Sequence, residues 1–297
     1  MSDLVQPATV PEKTVAGPPI SENGWYVIAL VLLIIWLYAA ILNHLARQWW
    51  SDPNFSHGFL VPAFSGLVVW QNRRRLRFTR RAASNWGLPV ILISLAMLLL
   101  GIFGAELFLS RSSLVFLIAG LVIFFEGWAR LRVVLFPLLF LLLMVPIPAI
   151  VFSQITFPLQ ILASKLAAST LPLCGVPVLR EGNIINLPAM PLEVAQACSG
   201  IRSLMALLTL AIVYGYFLES RPSIRVLLAL ASVPIAVAAN ALRIVGTGLI
   251  VQYWDPEKAE GFFHLFSGWL VFLVSFLLLL ALHRLMQFSF RAREVPS

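Results

Sequence analysis

Long apolar stretches alternate with short polar ones along most of the chain. They recur at about residues 25–43, 55–70, 87–104, 112–129, 133–151, 200–218, 223–251 and 265–282. A helix rises about 1.5 Å per residue, so about 20 apolar residues cross a hydrocarbon core of about 30 Å. The pattern therefore predicts an all-α polytopic membrane protein with eight transmembrane helices. The second stretch is the shortest and carries Pro62.

The longest interval between these stretches, 152–199, has its own periodicities. Residues 155–171 place apolar side chains at helical spacing beside Gln154, Gln160, Ser164 and Lys165, which predicts a helix lying in the membrane interface. Two runs rich in β-branched residues then flank Gly182-Asn183, a tight-hairpin signal, and 192–197 could add a third strand. Such a small sheet would lie over the membrane surface and hold Cys198 at its rim. Residues 1–24 contain Pro7, Pro11, Pro18 and Pro19 and no periodicity, so they are expected to be a disordered tail. No basic segment leads into a short apolar core with a cleavage site, so a removable signal peptide is not expected. The resulting organisation is a tail (1–24), a transmembrane domain (25–286) containing the outer insertion, and a basic tail (287–297).

Composition agrees: 60% of residues are hydrophobic, 11% are charged, and the mean hydropathy is +0.91. The net charge of +8 first raises the question of nucleic acid, but its distribution answers it. Arg73, Arg74, Arg75, Arg77, Arg80 and Arg81 follow the second stretch, Arg130 and Arg132 the fourth, Arg221 and Arg225 the sixth, and Arg284, Arg291 and Arg293 the last. Alternate loops hold only scattered cations, and a loop with Glu106 and Arg111 is expected among them. The positive-inside rule then puts both termini in the cytoplasm and the 152–199 insertion outside. The expected partners are the bilayer and molecules within it, not nucleic acid. There is no CxxC pair, glycine-rich phosphate loop, HExxH or carboxylate cluster, so neither a metal nor a cofactor is expected. Nucleotide-driven transport and metalloprotease chemistry drop out with them.

Candidate chemistry concentrates where 193–204 passes from an extended segment into a helix. Cys198 at that junction would have its thiolate stabilised by the helix N-terminus and by Arg202 one turn on. Its bland alternative is a small buried hydrophobe. Asn240 and Arg243 share a helix face, and Arg243 lies 18 residues beyond Arg225. That is about 27 Å, near the outer boundary. A snorkelling arginine is the alternative there. His264 opens the last stretch on the same side, where it could equally be a satisfied interfacial histidine. The conjunction of thiol, guanidinium and imidazole suits acyl transfer. Cys174, between Pro172 and Gly175, is assigned to packing.

Ala197-Cys198-Ser199-Gly200-Ile201-Arg202-Ser203, then Asn240-Ala-Leu-Arg243-Ile, then Phe263-His264 resemble the three-block signature of exosortases and archaeosortases. Ser56-His57-Gly58 with Leu60-Val-Pro62 is similar to that family's early outer loop. The resemblance covers about residues 30–285. It implies a membrane-embedded cysteine transpeptidase of the bacterial inner membrane, its active site facing the periplasm. Its substrates would be membrane-anchored proteins with a C-terminal sorting signal: a Pro-Glu-Pro-like motif, a transmembrane helix and a basic cluster. Cys198 becomes the nucleophile, Arg243 the transition-state stabiliser and His264 the acid/base, with Arg202, His57, Asn240 and Ser199 in supporting or substrate-binding positions. Family members often lie near exopolysaccharide genes. The competing reading is a lipid-linked polysaccharide transporter or assembly factor, using Arg202 and Arg243 to hold phosphate without covalent catalysis.

Overall fold

The computed structural model describes residues 24–194, 200–254 and 262–294, with side chains described at 25–194, 200–254 and 268–288. Two compact units divide at Ala40. The first holds the opening turns of helix α1 (Gly24–Ser51), whose Trp25, Ile28, Leu32 and Trp36 form exposed apolar surface. The second, Ile41–Ser297, holds every element and site described below.

In that unit a 3-10 segment, Pro53–Phe59, runs directly into α2 (Leu60–Gln71), followed by α3 (Arg73–Phe78), α4 (Gly87–Phe103), α5 (Leu107–Glu126) and α6 (Trp128–Phe140). A 3-10 turn, Leu141–Met144, and a Pro-Ile-Pro stretch lead into α7 (Ala149–Thr170). Three short strands follow, β1 (Leu179–Glu181), β2 (Ile184–Asn186) and β3 (Pro191–Glu193), then α8 (Ile201–Leu218), α9 (Pro222–Tyr253) and α10 (Phe262–Glu294).

Among the described residues, six helices are long and apolar enough to cross a membrane: Trp25–Ser51, Leu107–Glu126, Ala149–Cys174, Ile201–Leu218, Pro222–Tyr253 and Gly268–Phe288. Gly87–Phe103 is slightly shorter. The expected count of eight full-length spans is therefore not reproduced. Proline is the physical reason. It removes a backbone donor and drives the preceding residue toward extended backbone. Pro53 opens the 3-10 segment that shortens α2, and Pro146 and Pro148 end the run that 133–151 suggested as one helix, leaving Val145 extended.

The two ends of the bundle differ in chemistry. At one, Arg81 pairs with Glu126 at 2.9 Å, Arg130 bonds both Glu126 and the Thr79 carbonyl, and the Arg225 guanidinium lies 5.3 Å from the Tyr216 ring centre. At the other end sit Pro53–Phe59, the start of α8 and the last turns of α9. Both ends of α7 pack there. Phe152 meets Phe55 with ring centres 5.8 Å apart, while Leu171 abuts Gly248 and the Tyr253 hydroxyl donates to the Cys174 carbonyl at 3.3 Å. α7, expected from the sequence as an interfacial helix, also has the length and composition of a membrane span.

The hairpin forms where expected. Gly182 takes φ +65°, the glycine-favouring region at the first turn position, and the strands pair antiparallel in the order β1-β2-β3 with Arg180 opposite Ile185 and Ile185 opposite Leu192. Ile185 is fully buried in a core with Ala163, Ala167, Leu171, Val194 and Ile244. The Ser164 hydroxyl donates to the Gly182 carbonyl at 3.0 Å, fixing the turn on α7. Two expectations about single residues are corrected. Arg111 lies not in a loop but inside α5, 3% exposed, bonded to His44 Nδ1 at 2.9 Å. Cys174 is exposed rather than packed, because the Leu171–Cys174 turn buries only Leu171.

At the arginine-rich end, buried Glu219 lies 3.1 Å from His283 Nε2, whose Nδ1 is 2.7 Å from the Tyr214 hydroxyl. Burial alone would raise the Glu219 carboxyl. Bonds from the Arg221 and Ser220 N–H groups and the His283 and Gln287 side chains outweigh it and lower the carboxyl to about 2. Its folded value lies below its ordinary one, so its stabilisation is complete above about pH 4.5 and is lost as pH falls toward 2. Glu219→Gln is expected to destabilise the protein by about 1–3 kcal/mol at pH 7 and to flatten that acid limb. Thermal unfolding in detergent across pH 2–7 measures both.

Candidate active site

Four elements meet at the end opposite the arginine cluster around a cavity of about 420 Å³. Pro53 and Ser56 come from the 3-10 segment, Arg202, Ser203 and Ala206 from α8, Arg243 from α9, and Gly268, Trp269 and Phe272 from α10. Helical spacing explains the sharing. Residues 202, 203 and 206 lie within one turn, and 268, 269 and 272 form an i, i+1, i+4 patch on one face.

Gly200 sets the approach of α8 to α9. It has φ +78°, and a Cβ built on it would lie 3.0 Å from both Cβ and Cγ of Asn240. Any other residue would meet left-handed strain of about 1–2 kcal/mol and a collision with the buried Asn240. Asn240 is thus the floor under the start of α8, and Arg243, one turn on, reaches the cavity. Gly268 on α10 has more room: a Cβ there would stand 4.0 Å from Cζ and Nη2 of Arg243, an ordinary van der Waals contact. Arg243 also borders β3, sharing a small recess with Leu192, Glu193, Val194 and Thr247. Gly200→Ala is expected to lower activity about 10²-fold through misplacement of the α8 start, with only a modest fall in melting temperature. A steady-state assay paired with thermal unfolding separates the two effects.

Arg202 and Arg243 thus line one cavity, and Asn240, on the helix face that spacing gives it with Arg243, lies against Gly200. Cys198 and Ser199 lie outside the described residues; Gly200, two positions after Cys198, packs against Asn240, and Arg202, four after it, lines the cavity. His264 belongs to α10 by its backbone, one turn before Gly268, and its side chain is outside those described. His57 is not on the cavity wall. It is buried beside wall residue Ser56, with Nε2 3.3 Å from the Leu143 carbonyl. Burial lowers its imidazole below the ordinary value, partly offset by bonds to the Leu143 and Asn54 carbonyls. At neutral pH it is uncharged and ties the 3-10 segment to the Leu141–Met144 turn, a positioning role.

Trp269 was not singled out in the sequence, and Ser56 and Ser203 stood there only as motif neighbours without a role of their own. The adjacency of Ser56 to His57 and the one-turn offset of Gly268 from His264 were the available signals. Among the described residues no group of three or more His, Cys, Asp or Glu could hold a metal ion. A cavity lined by two arginines, two serines and an aromatic pair suits an anionic or carbonyl-bearing ligand whose apolar part lies against Trp269 and Phe272.

Residues 49–281 match a family model described as transmembrane exosortase. No curated protein and no solved structure matches the chain.

Proposed function

From the premise that this integral membrane protein belongs to the transmembrane exosortase family, we propose that it is a cysteine transpeptidase of the bacterial inner membrane that cleaves C-terminal sorting signals at the outer face. The observation that carries this reading is the cavity lined by both Arg202 and Arg243 and by Gly268; Arg202 lies four residues after Cys198 in sequence, and Gly268 four after His264. The Cys198 thiolate attacks the scissile carbonyl carbon, and the carbonyl oxygen becomes an oxyanion that Arg243 stabilises. His264 protonates the leaving amine as the C–N bond breaks, leaving a thioester on Cys198. A second nucleophile, activated by the same imidazole, attacks the thioester and returns the thiolate.

The scaffold supports a substrate that arrives within the bilayer. A signal with its own membrane helix diffuses laterally and presents its cleavage motif at interface depth. Its basic end stays on the cytoplasmic side, where this protein's own arginines are placed by the same rule. The test is trapping. Purified protein is mixed with a candidate sorting-signal protein, quenched in acid and examined by mass spectrometry. A substrate fragment joined to Cys198 through a thioester is the expected result, and its absence under turnover conditions overturns the reading. Two arginines on one cavity would also suit the phosphate of a lipid-linked saccharide. A carrier of that kind would form no adduct and would tolerate loss of the thiol.

A further inference from the structure

A second cavity, of about 390 Å³, lies on the other side of the Pro53–Phe59 segment, between the end of α1, the α4–α5 turn and the start of α7. Its walls include Gln48, Asp52, Asn54, Glu106 and Arg111. Three of these side chains carry a buried polar atom with no hydrogen-bond partner among the described residues: Gln48 Oε1, Asn54 Oδ1 and Arg111 Nε. A buried polar group left unpaired is destabilising, and more so when charged. Three such atoms on one cavity mark a place built for a polar occupant.

Their chemistry specifies the occupant. The two amide oxygens need N–H or O–H donors, and the carboxylates of Asp52 and Glu106 beside them favour a donor that is also a cation. Arg111, only 3% exposed and bonded through Nη2 to His44, offers its Nε–H to an anionic acceptor. Fixed charges of both signs in one chamber select a zwitterion over a neutral polyol. The cavity also lies beside strongly exposed apolar side chains: Trp50, between Gln48 and Asp52, and Phe103, two residues before Ala105, are each 86% exposed. In a membrane protein such surface faces acyl chains, and tryptophan marks the headgroup level.

We propose that this cavity binds a primary-ammonium phosphate, the headgroup chemistry of phosphatidylethanolamine, with the ammonium on Gln48, Asn54 and the two carboxylates and the phosphate on Arg111. A quaternary ammonium has no N–H to give the amide oxygens, so phosphatidylcholine is discriminated against. The site does not depend on the transpeptidase reading, and its test needs no activity.

Full-length protein is reconstituted in nanodiscs of equal phosphatidylethanolamine and phosphatidylcholine, and retained lipid is counted by native mass spectrometry. Phosphatidylethanolamine is expected to be retained about tenfold over phosphatidylcholine. Arg111→Gln and Gln48→Leu are each expected to erase most of that preference, while Arg202→Gln, in the other cavity, leaves it intact. Asn54→Leu serves where either variant fails to elute as a folded, monodisperse species. A second arm titrates O-phosphoethanolamine into delipidated protein. Saturable binding there without lipid retention assigns the same chemistry to a free ligand, whereas competition with retained lipid assigns it to the bilayer. Equal retention of the two lipids with no binding of O-phosphoethanolamine overturns the proposal, as does a preference that survives all the cavity variants.

Discussion

Cys198→Ala is expected to abolish processing while leaving the protein in the membrane with its melting temperature unchanged. The reason lies in what the thiol would do that nothing else can. Removing a nucleophile leaves only binding and oxyanion stabilisation, which give no covalent intermediate. Substrate should therefore accumulate uncleaved, still anchored by its own helix. Cys198→Ser tests the same point more finely. A hydroxyl is a far weaker nucleophile than a thiolate at neutral pH, and a helix N-terminus with nearby arginines stabilises a thiolate but cannot ionise a serine. Both variants should be inactive, and neither should form the acid-stable adduct. The readout is the ratio of cleaved to uncleaved substrate in membrane fractions. Wild-type ratios in either variant would remove covalent catalysis and leave the carrier reading.

Much of this architecture was legible because its signals are local. The β1–β2 hairpin followed from two β-branched runs around Gly182-Asn183, and Ile185, in the second of them, is fully buried in the core. The helix over 155–171 followed from apolar residues at helical spacing; its polar Gln160 and Ser164 are both buried, and Ser164 bonds the sheet. What was not legible depends on tertiary context. Hydropathy cannot see that Val145-Pro-Ile-Pro148 splits one apolar run into two elements, because apolar composition continues across the break. Arg111 was assigned to a loop by its charge, yet His44, 67 residues away in sequence, provides the partner that allows it inside α5. The cavity itself was half legible. Arg202, Asn240 and Arg243 stood out as polar residues in apolar helices, whereas Ser56 and Trp269 are ordinary in type and gain meaning only from what they face.

Arg243→Gln is expected to reduce kcat by about 10²–10³-fold with little change in KM, the signature of a group that acts on charge developing in the transition state. Gln keeps a hydrogen-bond donor but is shorter and loses the cation, so its deficit combines charge and reach. Arg243→Lys restores the charge without the planar fork and is expected to recover activity only in part. The environment makes this arginine sensitive to position as well as identity. Asn240, one turn below, is pinned under Gly200, while Gly268 leaves open the space about 4.0 Å from the guanidinium. Gly268→Leu fills that space and should displace the guanidinium, reproducing the kcat loss of Arg243→Gln in a protein that retains the arginine. The two defects should also fail to add: the double variant is expected to be no slower than Arg243→Gln alone, because both act through one group. Additive losses would mean that Gly268 serves the site by another route, and an unchanged kcat in Arg243→Gln would take the arginine out of the chemistry.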